Sequence, residues 1–165
     1  MGALRNFLFG GPGTATSLGD VGLLIMRIGL GLYIAAHGWG KVWAGGTPGP
    51  SSQFVTTVGN LGFPQPTLFA WGAGITEFGG GLLLALGLLT RPVALALCCN
   101  MAVAAFLRHG GDAWYVPPGT RAPSKELAML YLLPFLLILL IGGGRFAIDS
   151  LLRKHRKPLP KRTDQ

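Results

Sequence analysis

The chain has 165 residues and a formal net charge of +8; half of its residues are hydrophobic, 12% are charged, and the mean hydropathy is +0.48. That composition lies outside the range of a water-soluble globular domain and leaves too little polar sequence for a sizeable soluble core. The positive balance does not indicate nucleic acid either. Arg153, Lys154, Arg156, Lys157, Lys161 and Arg162 crowd the tail, where basic residues act as a positive-inside topology signal with some attraction to anionic lipid.

Residues 1–19 read as a Gly-rich cytoplasmic leader. The first apolar run, about 20–38, contains Arg27, which a cleavable signal segment would rarely tolerate, so an uncleaved helix is expected. The loop that follows mixes turn residues with aromatics. Within it, "SSQFVTTVGNLGF" is expected to form a short interfacial helix, with Trp39, Trp43, Phe54 and Phe63 at headgroup depth. A second span covers about 66–89 and a third about 92–108. Gly72, Thr76 and Gly80 recur every fourth residue on the second, a surface that lets helices approach closely. The third carries adjacent Cys98 and Cys99, which point about 100° apart on a helix and make no CxxC redox pair. A loop around Trp114 and Tyr115 leads to a fourth span at about 125–142, and 150–165 form a basic cytoplasmic tail.

The expected fold is therefore all-α: an integral membrane four-helix bundle occupying 20–149, each span near the length that crosses about 30 Å of hydrocarbon. With four spans and a cytoplasmic tail, both termini are expected in the cytoplasm. The hairpin carrying Arg91 then faces the cytoplasm, and the loops at 38–65 and 108–124 face outward.

Polar residues inside the spans carry the functional expectations. An ionised group at the centre of a membrane helix costs about 2.5–3.5 kcal/mol on insertion scales, so Glu77 needs a partner. Arg27 on the adjacent antiparallel helix is the expected one, either as a register-fixing ion pair or as part of a proton or ligand site. Asn100 joins this interior as an interhelical hydrogen bonder or a ligand contact. His37 and His109 end the first and third helices on the outer side. There they serve as interfacial caps, or hydrogen-bond a ligand carbonyl and move protons. The candidate catalytic residues are thus Glu77, His37 and Arg27, and the candidate cofactor-binding residues His37, Trp71, Asn100 and His109. Arg91, Arg145 and Asp149 are expected to form a structural charge cluster at the cytoplasmic rim, with Asp149 one helical turn from Arg145. No metal is expected, because only Asp112 lies near the two histidines.

Together these residues resemble a family. "LLIMRIGLGLYIAAHGWGKV" is similar to the first helix of DoxX proteins, with Arg27 early, His37 late and Lys41 after it. "EFGGGLLLALGLLTRPVAL" resembles that family's second signature, beginning at Glu77 and ending past Arg91. "KELAMLYLLPFLLILLIGGGRFAIDSLL" is similar to its closing helix and the motif carrying Arg145 and Asp149. His109 fits a histidine frequent after the third helix. The resemblance implies a bacterial cytoplasmic-membrane protein linked to quinone-dependent sulfur redox chemistry or to complexes that handle oxidative stress. On that basis the expected function is a quinone-interacting subunit of a membrane oxidoreductase. The alternatives are a non-enzymatic scaffold that recruits a soluble oxidoreductase, or a small-solute permease. The expected partners are lipid and a protein carrying redox chemistry, with self-association a further option and nucleic acid excluded.

Overall fold

The computed structural model describes residues 16–117, 119 and 122–154; the leader before Thr16 and the tail from His155 onward lie outside the described residues. Helix α1, Ser17–Val42, begins where the Thr16 hydroxyl accepts from the Gly19 backbone N–H at 3.1 Å, the ordinary N-cap arrangement. It runs past Gly38 and Gly40, four residues beyond the expected end, and its last turn holds Lys41. A two-stranded hairpin follows, β1 (Trp43–Ala44) paired antiparallel with β2 (Thr47–Pro48). Helix α2, Ser52–Asn60, is the short helix expected in this loop and is capped by Ser51 accepting from Phe54 N–H at 3.2 Å.

Helix α3, Pro66–Leu86, opens on a proline and stops at Gly87, whose φ of 71° is left-handed. There Leu88 N–H reaches Leu83 C=O (2.9 Å) and Gly87 N–H reaches Leu84 C=O (3.0 Å), the paired bonds of a Schellman ending. This shortens the span by three residues relative to the sequence expectation. Helix α4, Thr90–Ala102, continues directly into a π-helical stretch, Val103–Arg108. Together they give 19 residues, long and apolar enough to cross a membrane, as are α1 and α3. Helix α5, Glu126–Ile141, is apolar but only 16 residues long and carries Pro134; at 1.5 Å per residue it reaches about 24 Å. A short α6, Ile148–Lys154, ends the described chain.

Helix α1 packs on α3, α3 also on α4, and α4 on α5. The α1–α3 contact is backbone to backbone. A Cβ on Gly31 would lie 2.6 Å from the Gly81 carbonyl oxygen, and one on Gly38 would lie 2.7 Å from Glu77 Cβ. Small residues are what allow this approach where lipid supplies no hydrophobic drive between helices. Leu84, Leu97, Phe135 and Ile138 fill the centre, while leucines such as Leu32, Leu82, Leu133 and Leu140 face outward. Apolar side chains on the outside of an apolar bundle are the pattern of a lipid-facing surface. The four-helix membrane bundle read from the sequence is the fold observed.

Candidate functional site

Buried charge collects at both ends of α1, and the glycine contacts explain why there are two sites rather than one. Gly38 faces Glu77 and Phe78, Gly31 faces Gly81 and Ala85, and Arg27 consequently reaches Gly87. Ten residues of α3, or about 15 Å, separate Glu77 from Gly87. The expected Arg27–Glu77 pair therefore does not form. The reason is register: the connection between the helices contains the hairpin and α2, so no tight turn fixes depth, and glycine packing does.

At the turn end, where α3 meets α4, the Arg27 guanidinium donates to the carbonyls of Gly143 (2.6 Å) and Phe146 (3.4 Å). Asp149 accepts from the backbone N–H groups of Leu89 (2.9 Å) and Thr90 (2.8 Å) and from the Thr90 hydroxyl (2.8 Å). It caps α4 from sixty residues away, because Leu89 at the N-cap position offers no side-chain acceptor and sits at a φ of 50°. A non-glycine residue in that region costs about 1–3 kcal/mol, which these bonds offset. Arg91 donates to Leu140 C=O at 2.9 Å, and Arg145 stands 3.9 Å from Asp20. Arg91, Arg145 and Asp149 do share this end, but the expected single charge cluster is corrected to separate contacts. Arg145 and Asp149 are not one helical turn apart, because α6 begins only at Ile148.

At the other end lies a cavity of about 670 Å³ between α1, α2, α3, α4 and α5. Glu77, 1% exposed, is at its floor. Its Oε1 accepts from Lys41 Nζ at 2.6 Å and from Asn100 Nδ2 at 2.9 Å, and Asn100 also lies 3.4 Å from the Ala73 carbonyl. Its Oε2 is buried and has no hydrogen-bond partner. Lys41, 25% exposed, has its ammonium 5.2 Å from the Phe54 ring centre on α2, a cation–π contact. His37 and His109 both line the cavity. His109 Nδ1 is 2.7 Å from Asp112 Oδ2, which fixes the ring and leaves Nε2 for another partner. Tyr131 and Phe69 add aromatic wall.

Of the residues singled out in the sequence, the cavity thus unites Glu77, His37, Asn100 and His109. Arg27 belongs to the other end. Trp71 is not part of the lining either: its ring lies 3.5 Å from where a Cβ on Gly49 would be, so it turns toward the β-hairpin. Lys41 is the residue that sequence reasoning placed in a loop and missed as a partner. A signal existed in the stripe Arg27, Gly31, Ile34, Gly38, Lys41, whose alternating spacing of four and three keeps one helix face on α3.

Such an arrangement defines a class: a helical membrane bundle with an ion-paired carboxylate beneath a partly apolar cavity. The DoxX family model matches residues 22–110, which take in most of α1, all of α2, α3 and α4, and every cavity-lining residue named above except Tyr131. The chain belongs to the DoxX family. It is 34% identical to the inner membrane protein YqjF of Escherichia coli K12 over 139 residues, 83% of this chain and 96% of that one. It is also 40% identical to an uncharacterised protein of Haemophilus influenzae over 96 residues, 57% of this chain and 68% of that one. No solved structure matches it significantly.

Proposed function

We propose that this protein is a quinone-interacting subunit of a bacterial membrane redox system, of the sulfur or oxidative-stress-related kind, and that the cavity receives the quinone head group. The observation that carries this reading is a cavity lined by aromatic and aliphatic side chains and bordered by the ion-paired Glu77, Lys41 and Asn100. Small-molecule pockets span roughly 300–1,000 Å³ and combine an apolar lining with a few polar groups; about 670 Å³ with Lys41, Glu77, Asn100, His37 and His109 fits that description.

A quinone, when bound, supplies two-electron, two-proton redox chemistry, with the electrons exchanged through a partner oxidoreductase. The chain's own residues bind, orient and handle protons. Lys41 and Asn100 fix one oxygen of Glu77 and hold the carboxylate at the edge of the cavity. His37 lines the cavity and can donate to a ring carbonyl, while His109, its Nδ1–H held by Asp112, offers Nε2 as an acceptor to a ring hydroxyl when neutral and as a donor when protonated. Phe69 and Tyr131 offer flat surfaces to a ring.

The same reading places the protein in the cytoplasmic membrane with both termini inside, supported by the basic tail and by the inner-membrane description of the Escherichia coli relative. Purification in native-lipid discs followed by solvent extraction tests the quinone role: one quinone per chain should be retained, and Asn100→Leu should lower that ratio. Discs free of quinone but holding a soluble oxidoreductase would favour the scaffold role. Orientation is tested with single cysteines at Ser51 and Thr163 in a background lacking Cys98 and Cys99. An impermeant maleimide on intact cells should label only the first.

A further inference from the structure

We propose that the cavity has a second mouth, a slot between α3 and α4 that opens into the hydrocarbon at mid-membrane depth, and that the ligand is an amphiphile whose apolar chain leaves through it. This rests on the quinone reading above and adds the class of quinone: a ring carrying a long hydrocarbon chain, taken up from lipid rather than from water.

The cavity opens where its lining residues are exposed. His37, Ser51, Gln53, Arg108 and Leu127 are exposed lining residues that lie on α2 or within two turns of the outer helix ends. They mark an outer rim. From that rim, exposed wall also runs down between two helices, through Phe69 and Gly72 on α3 and Cys99 and Ala96 on α4. Cys99 and Ala96 are nine and twelve residues from Arg108, and Thr76, half-buried on the same wall, is ten from Pro66. At 1.5 Å per residue this is about 15 Å below the outer helix ends, half of a hydrocarbon layer about 30 Å thick. Side-chain size explains the gap. Near the turn, α3 and α4 touch: a Cβ on Gly80 would lie 3.5 Å from Val93 Cγ1 and 3.8 Å from Leu97. About two turns further out, a Cβ on Gly72 would meet nothing within 4 Å. Between these levels the helices are joined by the Asn100 amide, 2.9 Å from Glu77 Oε1 and 3.4 Å from the Ala73 carbonyl, rather than by interlocking apolar side chains. An opening at this depth gives a water-borne solute no route, since lipid lies outside it. It suits a molecule already dissolved there, whose ring lies beside Lys41, Asn100 and the histidines while its chain keeps contact with lipid through the slot.

A fully substituted benzoquinone bearing a decyl chain, with a photoactivatable diazirine midway along that chain, tests this on wild-type protein in lipid discs. After irradiation, mass spectrometry should place the label on residues 69–76 and 96–103. Unmodified decyl compound at about ten times its Kd should lower that label about tenfold. Ala96→Phe sets a ring at an exposed position of the slot. It should weaken binding of the decyl compound about tenfold relative to the same ring bearing a methyl group in place of the chain, the size of a modest overpacking cost. Competed label confined to the rim near His37 and Leu127, equal weakening of the two compounds, or no competed label on the two segments although the compound is retained, would overturn the slot and leave the quinone reading standing. In the last case, two copies per disc would assign the groove to self-association. If neither compound is retained, both readings fall together. The wild-type labelling decides the matter even if the Ala96 variant does not fold.

Discussion

The two ends of α1 each bury charge, yet they use it in opposite ways. At the turn end, charge is consumed by backbone: Arg27 serves two carbonyls after α5, and Asp149 serves the N-terminus of α4. There is no room for anything else. A Cβ on Gly143 would lie 2.6 Å from Ala147 Cβ and 2.7 Å from the Thr90 hydroxyl, so even the unpartnered Arg27 Nε faces packed protein. At the cavity end, one carboxylate oxygen has two donors, the other is buried with none, and the residue itself borders a cavity. A buried charge in a membrane helix is thus not itself a mark of function. Unused hydrogen-bonding capacity next to a cavity is the better sign.

The comparison breaks most visibly if the turn end is disturbed. Asp149→Ala strips the α4 N-terminus of its acceptor and removes an anion from the end of the bundle that holds Arg27; a loss of about 3–5 kcal/mol is expected, the range for breaking a buried charged contact. Thermal unfolding in detergent would register it, and quinone retention in the surviving folded fraction should stay within about twofold of wild type. A selective loss of binding at full stability would make Asp149 a site residue. Next in size is Gly38→Val, which pushes α1 off α3 at Glu77 and should cost about 1–3 kcal/mol by overpacking. Because Gly38 also sets the depth of Lys41, this variant should weaken binding as well as stability, whereas Gly22→Val, which meets nothing within 4 Å, should change neither.

How far the sequence reveals this arrangement depends on what each residue's position rests on. Four apolar runs and the short run after Ser51 are local, and the bundle and α2 follow from them, whereas the second span, expected to reach 89, stops at Leu86 because Gly87 turns left-handed. The depth of Arg27 against Glu77 is not local. It depends on which glycines of α1 meet α3, and "HGWGK" reads as a helix end although Gly38 is buried in helix against Glu77. The hairpin was likewise illegible, since Trp43–Ala44 and Thr47–Pro48 are too short for any alternating pattern. The capping role of Asp149 depends on a contact with Leu89 and Thr90 across sixty residues, and no spacing rule reaches that far.

Smaller effects sharpen the cavity side. Asn100→Leu removes one of the two donors to Glu77 and an interhelical bond, and should cost about 1 kcal/mol, near the upper part of what such bonds give in membranes. Quinone retention should fall with it, which solvent extraction of the discs would report. His37→Ala is the mildest. Its side chain is exposed, so stability should move by no more than about 0.5 kcal/mol, and quinone affinity should drop about threefold, the worth of one ordinary hydrogen bond. A stability loss comparable with that of Asp149→Ala would place His37 in the packing instead.

The most direct test of the separation between the two ends is a pair of double-mutant cycles sharing Glu77→Gln, one with Lys41→Met and one with Arg27→Met, read by unfolding free energy in the same detergent. The ion pair seen here predicts that Lys41 and Glu77 couple by at least about 1 kcal/mol, while Arg27 and Glu77 add to within about 0.5 kcal/mol, as expected of residues well beyond 10 Å apart. Coupling between Arg27 and Glu77, with Lys41 and Glu77 additive, would contradict the account.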